Sequence, residues 1–272
     1  MKQFVVLFAL TVAAVSANII AKPGFPEGRI INGQEAEPGA APFIVSLQTT
    51  SGSHFCGGSI VDKSRILTAA HCAVYNDFYV VAGAHDYTDK TTTQRVRAFL
   101  SKTKVHESYG GGVGPHDIAL IHLDEPLDLT AVARDGSSPV AAIDLPTLQL
   151  QAIDNGTLFG WGRDNSGALP KNLQTLDVKV LDFDTCKAEL PSSSSLDECN
   201  ICTHNAGTAD GACNGDSGGP LVSSKTDGSR QLIGIVSWGY TPCVTTSLPS
   251  VYTAVSKYLV WISENWNPEE TI

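Results

Sequence analysis

Long apolar runs, low-complexity tracts and internal repeats are missing from this 272-residue chain, apart from one apolar stretch at its start. Without repeats the chain is no array of stacked units. Beyond Val15 no segment is long and apolar enough for a transmembrane helix, which excludes a helical membrane span. Positive charge is scarce as well: 18 Lys and Arg stand against 28 Asp and Glu, a formal charge of -10. Such a field repels nucleic acid and anionic lipid, so neither is an expected partner. What remains is 42% hydrophobic and 17% charged, ordinary for a soluble globular protein. The length suffices for one sizeable domain or two smaller ones.

The exceptional apolar stretch runs from Phe4 to Val15, behind Lys2, and ends in Val15-Ser-Ala17. A charged start, a short apolar run and small residues at its end make residues 1–17 a signal peptide rather than a buried first strand, so the mature protein is expected to be exported. Residues 18–29 hold Pro23, Gly24, Pro26 and Gly28 without hydrophobic periodicity and form a leader. The seven cysteines, Cys56, Cys72, Cys186, Cys199, Cys202, Cys213 and Cys243, fit an oxidising compartment and predict disulfides. Seven is odd, so one thiol is left over or pairs between chains. Cys199-Asn-Ile-Cys202 has C-x-x-C spacing, but neither a βαβ context for redox chemistry nor a second ligand pair for zinc accompanies it.

Short β-rich runs punctuated by Gly, Pro, Asp, Asn and Ser follow: Phe43–Leu47, Phe78–Ala82, Ile118–Leu123, Leu158–Trp161, Leu232–Ser237 and Val251–Val255. They predict an all-β sandwich or barrel rather than alternating strands and helices. The loop-like stretch Asp124–Pro146 marks the boundary between two β units near its end. Only the tail reads as helix, where Val255, Leu259, Ile262 and Trp266 form one apolar stripe.

Gly215-Asp-Ser-Gly-Gly219 is the segment that suggests chemistry. A nucleophilic serine needs a tight turn with its hydroxyl exposed and backbone N–H groups free to face an oxyanion. The string also satisfies G-x-S-x-G, the elbow of α/β-hydrolases, whose histidine follows the serine. No histidine lies between Ser217 and Ile272, so the base must lie upstream. His71, in Leu67-Thr-Ala-Ala-His-Cys72, ends a strand-like run beside a cysteine that can pin the loop. His54, His85, His106, His116, His122 and His204 sit in polar or exposed-looking contexts. The carboxylate that orients the imidazole is Asp117, which enters the apolar run Ile118–Ile121; Asp62, nearer in sequence, lies in a turn-like Asp-Lys-Ser. The order His71, Asp117, Ser217 is one of three known chain orders for this constellation.

These residues, with Arg29-Ile-Ile-Asn-Gly33, Phe55-Cys-Gly-Gly-Ser-Ile60, Asp117-Ile-Ala-Leu120, Gly160-Trp-Gly162, Gly215-Asp-Ser-Gly-Gly-Pro220 and Ser237-Trp-Gly239, make the sequence resemble the chymotrypsin-fold (S1) serine proteases from Arg29 to its C-terminal helix. That resemblance implies two antiparallel six-stranded β-barrels with a C-terminal helix, over a peptidase domain at 30–272 divided at about 30–145 and 146–272. It also implies His71 as base, Asp117 as its support, Ser217 as nucleophile, and the N–H groups of Gly215 and Ser217 as oxyanion hole. Cleavage after Arg29 would release Ile30, whose ammonium would pair with Asp216. The implied disulfides are Cys56–Cys72, Cys186–Cys202 and Cys213–Cys243, with Cys199 departing from the pattern as a competitor for Cys186.

In the family, a position six residues before the nucleophile forms the base of the specificity pocket, and here it is Gly211. Asp210 is one place off, so a buried cationic substrate side chain has no partner. Ser237, Trp238 and Gly239 belong to the pocket wall, and Gly239 leaves it open; Ser250 narrows its back. Gly211-Ala-Cys-Asn-Gly-Asp-Ser217 is similar to arthropod chymotrypsins and crustacean collagenolytic proteases. Cleavage after Phe, Tyr, Leu and Met is therefore expected, with elastase-like preference as the alternative. No cofactor or metal is implied; Asp86 and Asp89 read as turn residues. Asn155-Gly-Thr157 is a glycosylation sequon, but it leads into the Gly-Trp-Gly strand, which argues against modification.

Expected partners are protein and peptide substrates, a trypsin-like activating protease and protein protease inhibitors, with the enzyme itself a monomer. A non-catalytic homologue acting as a binding module would lack a triad residue, and none is missing. A regulatory cascade protease would usually carry a further cysteine-bearing domain before the cut, so a secreted digestive enzyme of the gut lumen is the favoured reading.

Overall fold

A computed structural model describes residues 30–132, 139–147, 153–164, 166–241, 243 and 248–267. The signal and leader expected over 1–29, Arg29 included, lie outside the described residues. Fourteen strands and two short α-helices are described. In the first half they are β1 (Gln34–Glu35), β2 (Ile44–Thr49), β3 (His54–Asp62), β4 (Arg65–Thr68), β5 (Asp77–Ala82), β6 (Gln94–Phe99), β7 (Thr103–Val105) and β8 (Ala119–His122). The second half holds β9 (Asn155–Gly160), β10 (Gln174–Leu181), α1 (Phe183–Glu189), β11 (Asn200–Thr203), β12 (Pro220–Ser224), β13 (Arg230–Trp238), β14 (Ser250–Ala254) and α2 (Leu259–Glu264).

The strands form two antiparallel sheets. One runs β6-β5-β2-β3-β4-β8-β7 and curls into a half-barrel. The other runs β1-β10-β11-β14-β13-β12-β9, and a further β9–β10 pairing closes six of its strands into a barrel, with β1 added outside. Sheet membership changes between His122 and Asn155. The exception is β1, which precedes the first sheet in sequence yet pairs with β10 through Gln34 opposite Thr175 and Glu35 opposite Gln174.

Residue pattern explains which strands lie deep. β2 and β3 are buried along most of their length and on both faces, polar Ser46 and Gln48 included. β10 alternates about Val178, which points inward between exposed Asp177 and Lys179, as a barrel wall with one wet face requires. Phe43 and Phe159 meet edge to face at 6.0 Å in the core that both sheets share. Each such fully buried apolar side chain contributes about 1.5–3 kcal/mol.

Both helices differ from sequence expectation. α1 is an additional helix, capped by Asp182, whose carboxylate accepts the Thr185 N–H at 2.8 Å. The tail is helical but begins as a 3₁₀ turn at Val255–Tyr258. That tighter period brings Tyr258, Trp261 and Ile262 inward beside Val255, leaving Leu259 and Trp266 only partly buried. The tail, though last in the chain, packs against the core containing the first sheet.

Candidate active site

His71 sits in a 3₁₀ turn, Ala70–Cys72, directly after β4, and the Cys56–Cys72 disulfide ties that turn to β3. Asp117 lies just before β8, the hydrogen-bonded neighbour of β4, so the sheet itself brings the two side chains together. The Asp117 carboxylate is 1% exposed. Its Oδ2 accepts from His71 Nδ1 at 2.7 Å and from Ser237 Oγ at 2.6 Å, and its Oδ1 accepts the His71 backbone N–H at 2.9 Å. The Thr253 hydroxyl anchors the Asp117 carbonyl at 2.8 Å. A carboxylate can only accept, so the His71 proton resides on Nδ1 and Nε2 is left bare.

Ser217 comes from the other sheet, on the turn before β12. Its carbonyl accepts the Gly57 N–H at 2.8 Å, and Gly218 N donates to Val236 O at 2.8 Å, so the turn is held from both sheets. Gly215 has φ +104, where a side chain would also press on Leu169 and Gly162. Among the described residues neither the Gly215 N–H nor the Ser217 N–H has a protein acceptor. His71 and Ser217 line one cleft of about 320 Å³, together with Val113, Ala212, Trp238 and Gly239.

Asp216, between these residues, is completely buried. It accepts from Gly162 N at 2.8 Å and Cys213 N at 2.9 Å, and burial pushes its pKa up to about 6. A Cβ on Gly160 or Gly162 would lie 2.0 or 2.2 Å from a carboxylate oxygen, so these two glycines make room for the acid. Ile30 is 0% exposed among Leu158, Leu221 and Tyr252.

Gly211 and Ser250 face each other: a Cβ on Gly211 would lie 2.5 Å from Ser250 Oγ, which accepts from Ala212 N at 3.3 Å. The Asp210 carboxylate is held by Asn205 and Thr208 instead. Nothing lies within 4 Å of a Cβ built on Gly239, so that wall is open. Ser237 lines the cleft while its hydroxyl is committed to Asp117. The remaining disulfides join Cys186 to Cys202 and Cys213 to Cys243, and Cys199 is free. Its backbone is taken up by Ala254, and burial raises the thiol's pKa. Asp86 and Asp89 cap their own turns through Thr88, Thr91 and Thr92.

His54 was missed by sequence reasoning. It is 7% exposed, packs against Tyr87 and Trp161, and spans the sheets from Ser46 Oγ at 2.8 Å to the Gly215 carbonyl at 2.9 Å. The carbonyl requires a donor, so Nε2 carries the proton and Nδ1 accepts from Ser46. Burial lowers its pKa to about 4, which keeps it neutral. Its one sequence signal is position, directly before Phe55-Cys-Gly.

A histidine held by a buried carboxylate, beside a serine on a glycine-flanked turn and across a cleft between two curled β-sheets, defines a serine hydrolase of the two-barrel class. The chain matches the Trypsin family over residues 30–262. It is 52% identical to Lectizyme of Glossina austeni, covering 97% of each chain. It is 34% identical to fibrinolytic enzyme isozyme C of Lumbricus rubellus, covering 87% of this chain and 99% of that one. Trypsin theta of Drosophila melanogaster is 33% identical over 98% of each. This protein belongs to the trypsin family and is a serine endopeptidase acting on protein substrates.

Proposed function

We propose that the protein is exported as a precursor, activated by cleavage after Arg29, and hydrolyses proteins after Phe, Tyr, Leu and Met. In this reading residues 1–17 direct export, 18–29 are the propeptide, and 30–272 form the peptidase with halves at about 30–145 and 146–272. His71 Nε2 takes the Ser217 proton as Ser217 Oγ attacks the scissile carbonyl. Asp117 steadies the imidazolium through the Nδ1 hydrogen bond. The Gly215 and Ser217 N–H groups bind the oxyanion, each worth roughly a hundredfold or more in rate. His71 then gives its proton to the leaving amine, and water enters by the reverse steps to release the acyl group. The observation that carries this reading is the 2.7 Å contact of His71 Nδ1 with Asp117: with Nδ1 committed to the carboxylate, only Nε2 is available to a serine in the shared cleft.

Two observations support activation by cleavage. Asp216 is a fully buried carboxylate held by two backbone N–H groups, and a new ammonium at Ile30 would supply the missing charge. Leaving one partner of a buried pair absent costs about 3–5 kcal/mol, enough to switch the adjoining turn. Ile30 is also held at φ +49, which a β-branched residue rarely adopts, and cutting the preceding bond releases it.

For specificity, Gly211 and Ser250 offer no charge to a Lys or Arg side chain, and Gly239 admits a large one. A broad apolar pocket suits bulk hydrolysis of dietary protein. Chromogenic peptides differing at the residue before the cut test this: Phe, Tyr and Leu substrates are expected to exceed Ala and Val ones at least tenfold in kcat/KM, a difference of about 1.4 kcal/mol. Preference for Arg would refute the pocket argument, and preference for Ala would favour the elastase-like alternative.

A further inference from the structure

The sequon Asn155-Gly156-Thr157 plays no part in the site, and its position in β9 invites the objection that a strand would hide it. The structure reverses that objection. Side chains alternate along a strand, so the first and third residues of a sequon share a face. Here Asn155 is exposed, Thr157 partly so, and Gly156 is the residue turned into the barrel. On that outer face Asn155 stands opposite Lys179 and Thr157 opposite Asp177, both exposed. Thr157 Oγ1 donates to Asp177 at 2.8 Å, leaving the Asn155 side chain at the end of the strand. A surface concavity begins there, bounded by Asn155, Lys179, Ser223, Lys225 and Gln231. Lys225 starts the turn joining β12 to β13, where its N–H bonds the Ser229 carbonyl at 2.7 Å.

We propose that Asn155 carries an N-linked oligosaccharide that covers the concavity beside the Lys225 turn. Asn155 Nδ2 would displace the lipid diphosphate, as leaving group, from the anomeric carbon of a lipid-diphosphate-linked oligosaccharide. One C–N bond forms, one C–O bond breaks, and the amide loses one proton. The inference rests on the export reading, since that donor is met only in the secretory pathway. It also gives the sugar a role. An activator that cuts after Arg29 has trypsin-like preference, and Lys225, partly buried and ion-paired with Asp144 where an exposed turn begins, precedes a second bond of the kind it cuts. A glycan over the concavity shields that bond while the cut after Arg29 proceeds.

The test is expression of the full chain in insect cells, with glycosidase treatment of protein from the medium. Wild type is expected to lose mass on treatment; N155Q is expected to have the lower mass already and not to shift; T157S, which preserves the sequon, should behave as wild type. Unshifted wild-type protein in the medium overturns the glycan alone. Unglycosylated wild-type protein confined to the cytosol overturns the export reading and the glycan with it. Incubation with trypsin, read by mass spectrometry, should show nicking after Lys225 several-fold faster in N155Q than in wild type, with equal rates after Arg29. Equal nicking after Lys225 overturns the shielding. If N155Q fails to accumulate, enzymatic deglycosylation of folded wild type supplies the same comparison.

Discussion

Each of the two sheets holds one buried aspartate behind the residues of the cleft, and the two acids are equipped very differently. Asp117, in the loop before β8 of the first sheet, receives three hydrogen bonds, from the His71 ring, the His71 backbone and Ser237. Asp216, in the turn before β12, receives two backbone N–H groups, and burial raises its pKa to about 6. Both are about 1% exposed. Burial is therefore equal and compensation is not. In the proposed mechanism the first sheet carries a base already oriented for its task, and the second carries a turn whose buried carboxylate lacks a partner of opposite charge among the described residues. Control of activity is accordingly expected to act on the second sheet, leaving the His71–Asp117 pair untouched.

Removing the settled acid should have the largest effect. Asp117→Asn keeps the shape but favours the wrong His71 tautomer, and kcat is expected to fall about 10⁴-fold with little change in KM. Peptide hydrolysis by the activated enzyme measures it; a tenfold loss or less would mean that His71 is oriented by something else. Asp216→Asn should cost the activated enzyme roughly 10²–10⁴-fold in kcat/KM, corresponding to about 3–5 kcal/mol from the lost ion pair. The same substitution is expected to leave the uncleaved precursor's weak activity unchanged. An equal loss in precursor and activated enzyme would show that Asp216 supports the turn without responding to cleavage.

The smallest effect concerns His54, which touches the same turn through the Gly215 carbonyl. The native imidazole stays neutral down to about pH 4, whereas an unfolded histidine takes up a proton below about 6.5. Between those values the unfolded state binds more protons, so stability falls as pH falls, by on the order of 3 kcal/mol over the window. Asp216 acts in the opposite sense, because its raised pKa lets the native state take up a proton below about pH 6. Comparing wild type with His54→Gln separates the two: the variant's melting temperature should fall less, or rise, between pH 6.5 and 4. Parallel curves would show that His54 contributes nothing to the pH dependence.

The comparison also explains what the sequence could reveal. His71, Asp117 and Ser217 stand in short strings whose chemistry constrains their neighbours, and six of the fourteen described strands, β2, β5, β8, β9, β13 and β14, announce themselves as apolar runs between turn residues. His54 escaped because its burial depends on Gly215, 161 positions away; its own neighbour, Ser53, is polar. β1 is only two residues long and is made a strand by partners in β10 rather than by its own pattern. α1, at seven residues, is too short to display a helical period and is signalled chiefly by its Asp182 cap. The pairing of Cys186 with Cys202 is implied by the family resemblance, not by the residues themselves; in the structure Cys202 is buried within β11, whereas the free Cys199 precedes that strand. Gly160 and Gly162 are conspicuous as a string, but their reason, room for the Asp216 carboxylate, exists only once the chain has folded.

The central claim is that Ser217 is a nucleophile completed by events in the second sheet. A fluorophosphonate that labels activated serines tests it most directly, applied to the precursor and to the same protein after cleavage behind Arg29, with the labelled peptide identified by mass spectrometry. Labelling of Ser217 is expected to rise at least a hundredfold once Ile30 becomes the N-terminus, and to remain at the precursor level in Arg29→Gln treated identically. Equal labelling before and after cleavage, or labelling at any residue other than Ser217, would contradict the account.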